Sequence, residues 1–201
     1  MAGKLDFYFD FSSPYGYIAA CRIDDIAAKH GREVEWRPFM LGATFKLTGG
    51  KPLTEFPLKG DYSKHDFARS ARLHGIPFRM PSRFPISSIT AARAFYWLAE
   101  QDRGLARRFA LGVYKAFFAE DRDVSDNAVL SEIASGLGID AAAMLEGTQK
   151  PEIKEKLKQV TDEAIGKRGV FGSPFVFVGD EPFWGADRLE MVDQWLARGG
   201  W

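Results

Sequence analysis

Residues 5–11, Leu-Asp-Phe-Tyr-Phe-Asp-Phe, place Leu5, Phe7, Phe9 and Phe11 on one face, the period-two spacing of a β-strand. Without a break the chain runs into Ser12-Ser13-Pro14. Hydroxyls at a cap position and a proline in the first turn start a helix there. That helix carries Ala19, Ala20, Ile23, Ile26 and Ala27 as one apolar stripe, and Gly31 stops it. Val34-Glu-Trp-Arg37, before Pro38, reads as a second short strand. The opening is therefore committed to a βαβ unit.

A different texture follows. Residues 42–61 are rich in Gly, Pro, Thr and Lys and read as a loop. From Tyr62 to about Gly166 the spacing predicts helices over 62–74, 87–102, 104–119, 126–136, 140–147 and 151–166, separated by Gly, Pro or Asp-rich breaks. Strand character returns at Pro174-Phe-Val-Phe-Val178, Gly179-Asp180 is a hairpin turn, and Pro182-Phe-Trp184 is its short partner. Residues 187–198 close the chain as a helix with Leu189, Val192, Trp195 and Leu196 inward. The predicted organisation is a discontinuous sheet domain of residues 1–45 and 167–201, carrying a loop and helical insertion over 46–166. The fold class is α/β.

Lysine plus arginine equals aspartate plus glutamate, at 27 each, so no global field attracts nucleic acid or anionic lipid. No apolar run reaches the roughly 18 residues of a membrane span. Asp6 and Asp10 interrupt what would be the apolar core of a secretory signal. Cys21 is the only cysteine, which excludes an internal disulfide and a cysteine metal cluster. His30, His65 and His74 lack metal-ligand spacing and read as surface residues, so no metal site is expected. Together these features predict a cytoplasmic protein with no nucleic-acid or membrane partner. Gly49-Gly50-Lys51 lacks the remainder of a phosphate-binding loop.

A strand leading straight into Ser13-Pro14-Tyr15-Gly16 at a helix N-terminus is where thioredoxin-like proteins carry Cys-x-x-Cys. Ser13 and Gly16 stand at the two cysteine positions, so dithiol chemistry is impossible. Asp10-Phe11-Ser12-Ser13-Pro14-Tyr15, Val170-Phe171-Gly172-Ser173-Pro174 and Trp184-Gly-Ala-Asp187-Arg188-Leu189, in that order and over essentially the whole chain, resemble the 2-hydroxychromene-2-carboxylate isomerases. These are related to the kappa-class glutathione transferases, in the DsbA-like branch of the thioredoxin fold.

The resemblance implies glutathione as cofactor and Ser13 as the catalytic residue, its hydroxyl held against the glutathione sulfur. It implies a cis Ser173–Pro174 bond, with the Ser173 backbone pairing with the cysteinyl part of the tripeptide. The turn from Trp184 to Arg188 would hold the γ-glutamyl end, Asp187 receiving the amine; Asp187 in that position also has the makings of a helix cap. Lys59-Gly-Asp-Tyr62-Ser-Lys64-His-Asp66-Phe-Ala-Arg69 resembles the family's Lys-x-x-Tyr-x-x-x-Asp-x-x-Arg run. Lys59 and Tyr62 are the substrate-binding candidates there, and Asp66 and Arg69 are spaced to pair on a helix face. Ser87, in Phe84-Pro85-Ile86-Ser87-Ser88, stands where the family often has Asn, a change that bears on the substrate. Cys21, about 12 Å along the helix from Ser13, reads as packing.

The function that follows is a glutathione-dependent isomerase acting by reversible thiolate addition to a conjugated aromatic oxo-acid. A kappa-like glutathione transferase or peroxidase is the alternative, and a non-catalytic thiol-peptide-binding module the further one. The expected partner is a small aromatic or conjugated carboxylate. Homodimers are common in that family, so a homodimer is a possible assembly.

Overall fold

The structure is a computed structural model, and it describes residues 3–201. Four strands form one mixed sheet: β1 (Leu5–Phe9), β2 (Val34–Pro38), β3 (Phe175–Val178) and β4 (Glu181–Trp184), in the spatial order β2-β1-β3-β4. β1 runs parallel to β2, with Phe7 opposite Trp36, and antiparallel to β3, with Phe7 opposite Val176. The two residues Gly179 and Asp180 connect β3 to β4, and Gly179 takes the positive φ of 64° that such a turn needs.

The stripe read from the first helix is buried as expected, at Ala19, Ala20, Ile23, Ile26 and Ala27. The single helix is not. It is two, α1 (Pro14–Ala20) and α2 (Ile23–Lys29). At the junction the Arg22 N–H donates to the Ala19 carbonyl at 3.0 Å, a tightened turn. The Arg22 side chain then leaves toward Glu190 and His74.

A second correction concerns residues 42–61. They are not a continuous loop, because α3 (Leu41–Thr48) occupies their first part and ends at Gly49 with φ 68°. Its N-cap position is Met40, which offers no capping side chain, so nothing local marks the start. The missing acceptor is Asp10, whose Oδ2 receives the Leu41 N–H at 2.8 Å.

The remaining helices are α4 (Lys59–Leu73), α5 (Ile89–Ala99), α6 (Arg103–Phe118), α7 (Asn127–Gly136), α8 (Ala141–Gly147), α9 (Pro151–Gly166) and α10 (Leu189–Arg198). α4 begins three residues before the predicted 62. α6, α7 and α8 start where expected because Asp102, Asp126 and Asp140 cap them with side-chain oxygens.

Sheet and insertion share one apolar core. Phe9 meets Phe95 of α5 at 6.0 Å and Phe11 meets Tyr114 of α6 at 5.2 Å between ring centroids. Phe109, Phe117 and Phe118 are buried in the same mass. Because β1 ends against these rings, the turn that follows it is fixed from below. No described helix is long and apolar enough to cross a membrane.

Candidate active site

Ser13 is the N-cap of α1. Its Oγ accepts the Gly16 N–H at 3.0 Å and donates to the Ser173 carbonyl at 2.8 Å, and the residue is 5% exposed. The Ser173–Pro174 peptide is cis, as the resemblance implied. Ser173 Oγ in turn accepts the Asp10 N–H at 3.0 Å. The ends of β1 and α1 are thus stitched to the start of β3 by two serines 160 residues apart.

Gly16 is required by this packing. A Cβ there would lie 2.6 Å from the Tyr114 hydroxyl and 3.1 Å from Ser173 Oγ, so the second cysteine of a dithiol has no room. Tyr114 uses its hydroxyl to donate to the Asp10 carbonyl at 2.9 Å.

Asp10 itself is a buried carboxylate, 4% exposed, and the sequence analysis gave it no role. Its Oδ1 accepts the Ser12 N–H, the Ser12 hydroxyl and the Ser88 hydroxyl, each at 2.8 Å, while Oδ2 caps α3. Four donors to one buried carboxylate offset its desolvation. Its signal in the sequence was an acidic residue at the inner end of a buried strand, three residues before Ser13.

Tyr15 extends the turn toward the insertion. Its hydroxyl donates to Asp66 Oδ2 at 2.5 Å, Arg69 pairs with Asp66 Oδ1, and Arg69 also donates to the Tyr62 hydroxyl at 2.9 Å. Asp66 and Arg69 do pair on the helix face, as their spacing predicted. Burial by itself raises the Asp66 carboxyl, but the Tyr15 and Arg69 hydrogen bonds outweigh it and hold it below the ordinary range. Burial, then the Asp66 bond, push the Tyr15 phenol well up, so it stays a proton donor at neutral pH.

These elements border a cleft of about 1420 Å³, more than the ~300–1,000 Å³ of ordinary small-molecule sites. Ser13, Ser173, Trp184, Asp187, Arg188, Tyr62 and Ser87 all line it. Pro174 is buried behind Ser173, where its carbonyl accepts the Gly185 N–H at 3.1 Å. The Trp184 indole lies over Gly172, where a Cβ would be 2.3 Å from Nε1, and packs edge-on to Phe171 at 4.7 Å.

Lys59 is the candidate that the structure does not bring in. It is exposed in the first turn of α4 and is not among the lining residues, whereas Lys51, dismissed with the incomplete phosphate loop, is. His74 also departs from the surface reading. It lines the cleft and is half-buried, with Nε2 3.0 Å from Arg22 Nη1. Burial and the Arg22 charge lower its pKa.

The cap reading of Asp187 is corrected too. α10 begins at Leu189 with no side-chain cap, and Asp187 sits earlier, in a 3-10 turn over Ala186–Arg188. Its exposed carboxylate pairs with Arg188 at 2.7 Å, and Gly185, at φ 112°, makes room for it, since a Cβ there would lie 2.4 Å from Asp187 Oδ1.

Cys21 is half-buried at the end of α1. Burial pushes its thiol up to about 11, against the smaller opposing effect of the Tyr17 hydrogen bond. Among the described residues no group of three His, Cys, Asp or Glu side chains is arranged to hold a metal ion.

The arrangement brings a hydroxyl, a backbone edge and an exposed carboxylate to one cleft. Such a series suits an extended peptide-like ligand. Among the described residues the Ser173, Ala186 and Asp187 N–H groups have no protein acceptor, so the donors such a ligand needs are available.

The model of the DSBA-like thioredoxin domain matches residues 4–197. A 2-hydroxychromene-2-carboxylate isomerase of Sphingobium xenophagum is 31% identical over 98% of this chain and 99% of its own. Glutathione s-transferase kappa 2 of Caenorhabditis elegans is 29% identical over 96% of this chain and 91% of its own. A solved structure of a 2-hydroxychromene-2-carboxylate isomerase superposes with a TM-score of 0.88 at 30% identity, covering 98% of this chain and 95% of that one. Relatives named as isomerases support an enzyme. The cleft beside a cis proline, the serine in place of the thiol and these full-length likenesses agree, and the chain belongs to the DSBA-like thioredoxin domain family, with the 2-hydroxychromene-2-carboxylate isomerases.

Proposed function

We propose that the protein is a glutathione-dependent isomerase of conjugated aromatic oxo-acids, with Ser13 as its catalytic residue. The observation that carries this reading is the Ser13 hydroxyl, fixed beside Ser173 and cis-Pro174 at the edge of a large, mostly apolar cleft, with no thiol at either dithiol position.

When held beside Ser13 and Ser173, glutathione would supply a thiolate nucleophile for reversible addition to a conjugated double bond. The chain's own task is to stabilise that anion. A free thiol has pKa ~8.5, and lowering it by ~1.5 units takes about 2 kcal/mol. One charge-assisted bond from Ser13 is of that size. The Ser13 proton points at the Ser173 carbonyl, and an amide N–H from the ligand can take over that carbonyl and release the hydroxyl. Ser173, Pro174 and Trp184 then form the backbone platform, and Asp187 with Arg188 the polar end. Tyr62 and Ser87 border the space left for the oxo-acid.

The kappa-named relative favours a transferase as the second reading. The two separate by stoichiometry. An arylidene pyruvate is followed by absorbance with glutathione at a tenth of its concentration. Many turnovers per glutathione, with free thiol constant, are the expected result. Loss of one thiol per product moves the assignment to the transferase, and no turnover at any glutathione concentration removes both.

A further inference from the structure

The charges along the cleft are mostly spent on each other. Asp10 is held by four donors, Asp66 by Tyr15 and Arg69, Asp187 by Arg188 and Glu190 by Arg22 at 2.6 Å. His74, the remaining basic ring, faces Arg22. Lys51 and Glu55 are left, both on the segment after α3, and neither is in a salt bridge among the described residues.

The Lys51 ammonium lies 5.0 Å from the centroid of the Phe56 ring, a distance at which an aromatic face attracts a cation. Phe45, Leu53, Phe56, Phe84 and Ile86 contribute apolar lining to the same cleft. Lys59 lies 6.0 Å from the same ring but does not line the cleft. An exposed ammonium without a carboxylate partner, at the rim of a mostly apolar cleft, suits an acid whose body is apolar.

We propose that Lys51 is the specificity-determining cation of this cleft, receiving the carboxylate of the second substrate while an aromatic or conjugated body lies against Phe45, Leu53, Phe84 and Ile86. This assignment rests on the isomerase reading above and puts Lys51 in place of Lys59 as the cationic substrate-binding residue. Selectivity for the acid over its ester follows, because only the ionised group gains from the ammonium.

The test compares an arylidene pyruvate with its methyl ester in the wild type, Lys51→Met and Lys51→Arg. Lys51 is exposed, so both variants are expected to fold. With Lys51→Met the KM for the acid is expected to rise about tenfold, equivalent to ~1.4 kcal/mol, with kcat within twofold and the ester unaffected. Lys51→Arg is expected to restore most of the acid's KM. Equal losses for acid and ester overturn the proposal. So does a weakened glutathione Kd by calorimetry, which would place Lys51 at a carboxylate of the tripeptide instead. If the wild type turns over neither compound, the isomerase reading has failed on its own. Direct calorimetric binding of the acid to wild type and Lys51→Met then still decides, a tenfold weakening supporting the role of Lys51 and an unchanged Kd removing it.

Discussion

On one side of the cleft, Ser13, Ser173, Pro174 and Gly185 are tied by hydrogen bonds that join residue 10 to 173, 13 to 173 and 174 to 185, and Ser13 is 5% exposed. On the other side, Lys51, Leu53, Tyr62 and Ser87 project from a helix end and two connecting segments, with Leu53 47% and Tyr62 62% exposed. The first wall is held by hydrogen bonds that each have a backbone group as one partner and two serine hydroxyls among the others, so it offers few choices of side chain. The second is made of side chains whose replacement leaves the backbone bonds alone. In the proposed reaction the chemistry would use the fixed geometry of the first, and recognition of a particular acid would be free to vary on the second. Asp10 is the point at which the two meet, since one carboxylate holds the Ser13 turn, α3 and Ser88.

The comparison breaks most directly at that joint. Asp10→Ala leaves the Leu41 and Ser12 N–H groups and the Ser88 hydroxyl without an acceptor, at about 1–3 kcal/mol for each group that stays buried. A loss of about 3–4 kcal/mol in urea unfolding is expected, with looser protection of residues 41–48 in hydrogen exchange. A loss below about 1 kcal/mol would mean that the walls are not coupled through this residue.

Ser13→Ala tests the fixed wall alone. Removing the donor is expected to cost about 1.5–3 kcal/mol of thiolate stabilisation, seen as a roughly ten- to hundredfold fall in kcat/KM with the fold retained. Turnover within twofold of wild type would strip Ser13 of its role.

Asp187→Ala probes the far end of the same wall. Because its side chain caps nothing, stability should change by no more than about 0.5 kcal/mol, while glutathione affinity drops about tenfold, or ~1.4 kcal/mol. Calorimetric titration beside thermal melting separates the two, and a stability loss with unchanged affinity would return Asp187 to a structural part.

The smallest effect is expected at Cys21, behind the fixed wall. With its thiol pushed up to about 11, the thiolate fraction is very small at neutral pH and grows tenfold per pH unit as the pH rises toward that value. Iodoacetamide labelling followed by mass should therefore be slow at pH 7 and accelerate steadily to pH 9, with turnover unaffected after labelling. Rapid alkylation at pH 7 that also abolished turnover would place the thiol in the site.

What was legible in the chain is what local rules encode. The alternation of Leu5, Phe7 and Phe9, the Gly179–Asp180 turn and the caps Asp102, Asp126 and Asp140 each act within a few residues, so strands, hairpin and most helices could be placed from sequence. Ser13, Ser173 and Trp184–Arg188 each sit in a short motif, and the structure sets them along one cleft, with Pro174 buried behind Ser173. The rest depends on partners far along the chain. α3 was read as loop because its first N–H is capped from Asp10, 31 residues away. The helix after Ser13 is broken at Arg22, which reaches Glu190, 168 residues on. Lys51 and Lys59 differ by one short stretch of sequence, and only the turn of the chain after α3 decides which faces the cleft. Local patterns fix the conformation of a segment, while the direction in which a charged side chain points and the groups left unpaired are settled when segments pack.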